Sequence, residues 1–289
     1  MQKLGKRYFP IILVLPCIVY LLCITIFPLI YSLYLSFHSW DLAQPARGVV
    51  FVGLENYTSI LGKDKRFWDT LVNTLTILTG AISIEVLLGL GLALLMNRKI
   101  KGAGIIKTLM VIPIFVTPIV VGAIGRMLFY ELFGPINYLL HLSIGTTYNW
   151  LTDPLLARIT VILLDIWQWT PFTFLILLAG VQNLPLEPFE AAKIDGASRW
   201  MIFKSLTFPL LKPLIIVILL IRAMDLFKLF DPIWLLTYGG PGIATETSTF
   251  YTYFTGFTYW RIGYTAALSW LGLFIIIIIS QLLIKSIRR

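Results

Sequence analysis

Pro185-Leu186-Glu187-Pro188-Phe189-Glu190-Ala191-Ala192-Lys193-Ile194-Asp195-Gly196-Ala197-Ser198-Arg199-Trp200-Met201-Ile202-Phe203-Lys204-Ser205-Leu206-Thr207-Phe208-Pro209 is a polar interval set between two long apolar runs. Its residues spell two short helices with a corner. Pro188 suits a first helical position, and Glu190 is placed in a first turn, where the helix dipole favours an acid. Gly196 can take the left-handed conformation that ends a helix, and Ser198 can cap the next one. That second helix runs until Pro209 opens another apolar run. Ala191 and Ala192 leave the first helix a small-residue face that a partner could approach closely.

Outward from this interval the chain is a membrane protein. Of 289 residues, 58% are hydrophobic and 13% charged, and mean hydropathy is +0.87. A soluble domain is near half apolar and a quarter charged. The apolar residues form six runs, about 9–37, 71–96, 105–130, 159–181, 210–236 and 262–284. Each is too long for a strand and long enough for a spanning helix. Barrel strands of about ten residues do not fit this pattern. The fold class is therefore an all-α polytopic membrane protein with six transmembrane helices and one long cytoplasmic loop, 182–209, in a single domain covering 1–289. The first run follows Lys3, Lys6 and Arg7 as a signal peptide would, but it has no small-residue cleavage site and reads as an uncleaved helix.

Lys and Arg in the connections set the orientation. One side collects Lys3, Lys6, Arg7, Arg98, Lys99, Lys101, Lys107, Lys193, Arg199, Lys204, Lys212, Lys285, Arg288 and Arg289, fourteen in all. The other has seven: Arg47, Lys63, Lys65, Arg66, Arg126, Arg158 and Arg261. Both termini are expected to be cytoplasmic. The net charge of +9 resides in these loops, with no separate basic domain, so no nucleic-acid partner is implied. Cys17 and Cys23 lie six residues apart in the first run and read as small hydrophobes.

Spans carry ionisable residues only at a cost, so each is a candidate functional group. Arg222, Asp225, Lys228 and Asp231 recur every third residue in the fifth span. They read either as a self-neutralising ladder on one helix or as groups facing a watery cavity. The fourth span offers Asp165, Trp167, Gln168, Trp169, Pro171 and Phe172. An aromatic face beside a carboxylate and an amide is what a sugar ring and its hydroxyls require. Simple packing, or pairing of Asp165 with a cation such as Arg222, is the competing reading. Pro171 frees a backbone carbonyl that could line a cavity. Pro113, Thr117 and Pro118 predict a bend in the third span, and Gly89, Gly91 and Ala93 close helix approach in the second. Glu85 is an isolated acid there. His38 and His141 are isolated, and Gly62-Lys63 lacks the rest of a P-loop, so no enzyme is implied.

The 185–209 interval resembles the EAA motif of ABC importer permeases, through Glu190, Ala191, Ala192, Gly196 and Pro209. Leu206 and Phe208 stand where isoleucine and leucine are usual. Phe27–Phe37, Gly53-Leu54-Glu55-Asn56-Tyr57, Ile194-Asp195-Gly196-Ala197 and Gly239-Gly240-Pro241-Gly242 are similar to the carbohydrate-uptake branch, with its maltose, trehalose and glycerol-phosphate permeases. The resemblance implies a type I ABC importer permease fold and transport of a sugar, a di- or oligosaccharide, by a bacterial or archaeal inner-membrane protein. It implies a second homologous permease, two copies of an ABC ATPase that carry the ATP and Mg, and an extracytoplasmic solute-binding protein, with no cofactor on this chain. Glu190, Ala191, Ala192, Asp195, Gly196 and Pro209 are then the ATPase-coupling residues. Thr117, Asp165, Gln168, Trp169, Phe172, Arg222 and Asp225 are the candidate substrate pathway. Glycerol-phosphate, served by Arg222 or Lys228, is the alternative substrate. An ion-coupled secondary transporter lacks its expected inverted repeat, and a membrane scaffold leaves the polar residues of two spans unexplained.

Overall fold

Backbone groups in lipid must be paired within the segment that carries them, and the computed structural model meets that demand with helices. It describes residues 13–98 and 101–287. The expectations for Lys3, Lys6, Arg7, Phe9, Lys99, Arg288 and Arg289 lie outside the described residues.

The elements in order are α1 (Leu13–Ser36), β1 (His38–Ser39), β2 (Val50–Phe51), α2 (Glu55–Lys63), α3 (Lys65–Met96), α4 (Ala103–Val111), α5 (Pro118–Leu128), α6 (Pro135–Ile144), α7 (Pro154–Gln182), α8 (Leu186–Ile194), α9 (Arg199–Ile202), α10 (Phe208–Phe227), α11 (Asp231–Leu236), α12 (Ser248–Tyr253) and α13 (Ile262–Ile287). Four helices, α1, α3, α7 and α13, are long and apolar enough to cross a bilayer, and the bent pair α4/α5 brings the number to as many as five. The remaining run assigned to a crossing contains α10, whose 20 residues include Arg222 and Asp225.

Two proline signals explain local geometry. Phe27-Pro28 and Phe208-Pro209 each follow a widened turn, Leu22–Ile26 and Phe203–Thr207, in which the phenylalanine N–H reaches back to the carbonyl of Leu22 or Phe203. A proline inside a helix removes one N–H and crowds the carbonyl four residues earlier, and a π-turn absorbs that strain. The helix therefore continues from α9 through the wide turn into α10.

The chain divides into two units, residues 1–64 with 252–273 and residues 65–251 with 274–289. In the first, β1 and β2 pair antiparallel. The buried Asn56 amide donates to the carbonyls of Ser36 and His38 at 2.9 and 3.0 Å, and the Tyr264 hydroxyl donates to Asp64 at 2.7 Å.

In the second unit, α3 and α7 pack along their lengths. Gly89 permits this, because a Cβ there would lie 2.6 Å from the Thr173 methyl. Gly91 faces open space, so only one of the two glycines expected to allow close packing does so. Leu90, Ala93 and Met96 of α3, Phe174, Leu177, Leu178 and Val181 of α7, and Leu211, Ile215 and Ile218 of α10 form one apolar core. The 237–247 connection is also ordered from within. Asn73 donates to the carbonyls of Ile243 and Glu246, Arg158 Nε donates to that of Ala244, and Arg66 pairs with Glu246 at 3.0 Å.

Three expectations change. The third span does bend, but as a break of 98° between Phe115 and Pro118. The fifth is not continuous to Leu236: α10 stops at Phe227 and α11 restarts at Asp231. Pro232 stands in the opening turn of α11, where its missing N–H costs no helical hydrogen bond. Finally, α8 begins at Leu186, so Glu187, not Glu190, occupies the first turn.

Candidate functional site

Asp165, Gln168, Trp169 and Phe172 are spaced i, i+3, i+4 and i+7 on α7, which places them on one helical face. Asp165 and Gln168 are buried, and Trp169 and Phe172 are half-buried, with their rings edge to face at 6.2 Å. This face meets both broken spans. Gly122 of α5 lies so close to Pro232, at the start of α11, that a Cβ would fall 2.5 Å from the Pro232 carbonyl oxygen. The break in the third span is thereby pressed against the break in the fifth. A cavity of about 300 Å³ results, lined among others by Pro118, Asp165, Gln168, Trp169, Arg222 and Asp231.

Arg222 forms its floor and is 1% exposed. Its Nε and Nη2 donate to the two oxygens of Glu85 at 2.8 and 3.0 Å, a bidentate pair. Nη2 also donates to Asp165 Oδ2 at 2.6 Å. The guanidinium carbon lies 4.7 Å from the centre of the Trp169 ring, within the range of a cation–π contact. Three helices, α3, α7 and α10, are joined at this point. An arginine taken out of water survives only when paired, and its planar fork suits two carboxylates better than a lysine would.

These contacts settle several open readings. Arg222 does not form a ladder along its own helix, because its partners are on α3 and α7. Asp225, Lys228 and Asp231 are exposed at the cavity rim, and among the described residues they make no ion pair. Asp165 pairs with Arg222, as one of its two readings held. Glu85, unexplained by sequence, is the principal partner of Arg222 and is fully buried. The signal for it was present: a lone acid in one span calls for a cation in another, and Arg222 is one such cation.

Gln168 is also placed differently from a free hydroxyl-binding amide. Its Nε2 donates to the Val116 carbonyl at 2.7 Å, which the break before Pro118 leaves outside a helix. The backbone carbonyl left free by a proline break is therefore that of Val116, which Gln168 takes up, while Pro171 is buried within an uninterrupted α7. Thr117 is exposed at the N-cap of α5 and makes no side-chain capping bond. Phe230, Pro232 and Gly122 were missed by sequence, since each matters through the breaks and not through its own chemistry.

The second candidate region is α8, the corner and α9. Gly196 has φ +74°, the left-handed value its sequence position called for, and Ser198 Oγ accepts from Met201 N at 3.2 Å. Glu190, Ala191 and Asp195 are exposed and Ala192 half-buried. Ile194 and Trp200, 87% and 69% exposed, leave large apolar area uncovered around the corner. Pro209 lies beyond it, in the second position of α10.

The profile of the family described as binding-protein-dependent transport system inner membrane component matches residues 85–289, from the acid that holds Arg222 through the corner to the last helix. The chain belongs to this family. It is thus a transport component of an inner membrane and not an enzyme. A probable ABC transporter permease protein of Sinorhizobium fredii is 40% identical over 262 residues, 91% of this chain and 84% of its own. The trehalose/maltose transport system permease protein MalF of Thermococcus litoralis is 35% identical over 252 residues, covering 87% and 83%. A bacterial ABC transporter involved in import of the acidic polysaccharide alginate has the same fold, with TM-score 0.84 at 23% identity over 100% of this chain and 98% of that one.

Proposed function

We propose that this chain forms half of the translocation pathway of an ATP-driven, binding-protein-dependent sugar importer, and that its solute is a di- or oligosaccharide. The observation that carries the sugar reading is the α7 face. Trp169 offers ring surface for sugar C–H groups at the cavity, and Asp165, backed by Arg222, offers a carboxylate for hydroxyls. The kinship to a trehalose/maltose permease supports it. Glycerol-phosphate is less well served, because the one buried cation of the cavity is already held by two carboxylates.

The α8–α9 corner is the coupling element in this reading. It docks on an ABC ATPase, with Glu190 making a polar contact, Ala191 and Ala192 allowing close approach, and Asp195 and Gly196 shaping the turn. ATP and Mg belong to that partner, present twice, and a second homologous permease completes the pathway. An extracytoplasmic binding protein delivers the sugar. Both termini and the corner face the cytoplasm of a bacterial or archaeal cell. ATP closes the ATPase pair, the corner transmits the motion to α7 and α10, and the cavity alternates between the two sides.

The test is ATP hydrolysis by the assembled importer in lipid nanodiscs, with and without sugar-loaded binding protein. Stimulation by one loaded sugar, lost in Glu190→Lys while the subunits still co-purify, is the expected result. Uptake driven by an ion gradient with no ATPase bound to this chain overturns the proposal.

A further inference from the structure

Arg222 is the natural residue to nominate for an anionic solute, and its surroundings argue the opposite. Both its Nε and its Nη2 are engaged, Nη2 twice, and its face lies against Trp169. The cavity lining together with Glu85 contains four carboxylates, Glu85, Asp165, Asp225 and Asp231, against two cations, Arg222 and Lys228, a formal charge of −2. Glu85 does not line the cavity. It sits behind Arg222 and is fully buried, so it acts on the cavity only through the guanidinium that it holds.

We infer that Glu85 is a specificity-determining residue: by neutralising and orienting Arg222 from behind, it makes this cavity accept uncharged sugars and reject anionic ones such as sugar phosphates. The inference rests on the sugar-pathway reading and adds the solute's charge to it. The physical basis is the cost of bringing an anion into a site of net negative formal charge whose only buried cation already has two counter-charges. The anion loses its hydration and meets a single rim cation, Lys228, outweighed by the carboxylates of Asp225 and Asp231, whereas a neutral sugar needs only hydroxyl partners and a ring surface. Discrimination of this kind is a difference between two affinities and is built as much by repulsion of the wrong solute as by attraction of the right one. Glu85 also fixes geometry. Its bidentate grip turns the guanidinium so that Nη2 reaches Asp165 while the plane rests on the indole.

The experiment is equilibrium binding to the assembled importer in nanodiscs, with the binding protein omitted so that its own selectivity does not intervene. The probes are trehalose and maltose and the phosphate monoester of each. The wild type is expected to bind a neutral disaccharide at least about tenfold more tightly than its phosphate ester. Glu85→Gln, which keeps the size and a hydrogen bond, is expected to narrow that ratio by about tenfold. Glu85→Gln with Asp165→Asn, which leaves Arg222 without a counter-charge, is expected to reverse it. Glu85→Asp keeps the charge and should hold the ratio near wild type, whatever it does to thermal stability. A merely structural Glu85 would lower binding of both probes together and leave the ratio unmoved. A wild type that binds sugar and ester equally, or a ratio that survives Glu85→Gln, overturns the inference and leaves the sugar pathway standing. If none of the four probes binds the wild type, the pathway reading itself falls and the inference with it.

Discussion

Arg222 shows how one residue can be indispensable without contributing much net stability. Its two carboxylates and the Trp169 face offset the desolvation of three charges and leave little surplus. Removing one partner is different, because the others stay buried and unpaired. Arg222→Met is therefore expected to destabilise the protein by about 3–5 kcal/mol, read as a lower thermal midpoint of the purified importer. Arg222→Met combined with Glu85→Leu and Asp165→Leu leaves no buried charge and should recover most of that midpoint while transport stays lost. Gln168 makes a smaller case of the same kind. Gln168→Leu strips the Val116 carbonyl of its donor at a cost of about 1–3 kcal/mol. Because that carbonyl sits at the break of the third span, the variant should also show faster hydrogen exchange over 112–118. Unchanged exchange there would mean that the break is held by packing alone.

At the scale of elements, the corner between α8 and α9 separates two jobs that a continuous helix could not perform. A positive φ at Gly196 turns the chain without strain, which a residue bearing a Cβ does poorly. Proline cannot adopt it at all, since its ring fixes φ near −65°. Gly196→Pro is expected to leave an inserted protein, because α8 buries none of its residues, while sugar-stimulated ATP hydrolysis falls to the basal rate. Hydrolysis and uptake at wild-type levels in that variant would detach the corner from coupling. The corner was legible from sequence because its signals are local: a glycine, a capping serine and a proline at fixed offsets. The break at 228–230 was not. The apolar run continues through Phe227, Leu229 and Phe230, and Pro232 does not by itself announce a break, since Pro171 and Pro213 lie inside continuous helices. The Glu85–Arg222 pair was less legible still. Its members are 137 residues apart, and only the register of α3 against α10 brings them together.

For the whole molecule, the open quantity is the number of crossings, and charge and geometry bear on it differently. The α4/α5 pair bends by 98°, which suits either a broken span or a loop that enters and leaves on one side. Counting that pair as a re-entrant loop removes one crossing from the six read in the sequence, and an odd number of crossings puts the termini on opposite sides. The Lys and Arg distribution requires them to share the side of the α8–α9 corner. Hydropathy made the crossings legible because a bilayer imposes length and apolarity on each segment separately, but it carries no information on whether a bent segment emerges where it entered. Cysteine accessibility decides this. In a background with Cys17→Ser and Cys23→Ser, single cysteines replace Lys63, Lys193 and Lys285, and intact cells are treated with a membrane-impermeant maleimide. Lys63→Cys is expected to react in whole cells, whereas Lys193→Cys and Lys285→Cys react only after lysis. Labelling of Lys193→Cys and Lys285→Cys together with Lys63→Cys in intact cells would mean that the chain does not cross between α3 and α7. The bent pair would then be a re-entrant loop, and half of the charge argument would fail with it.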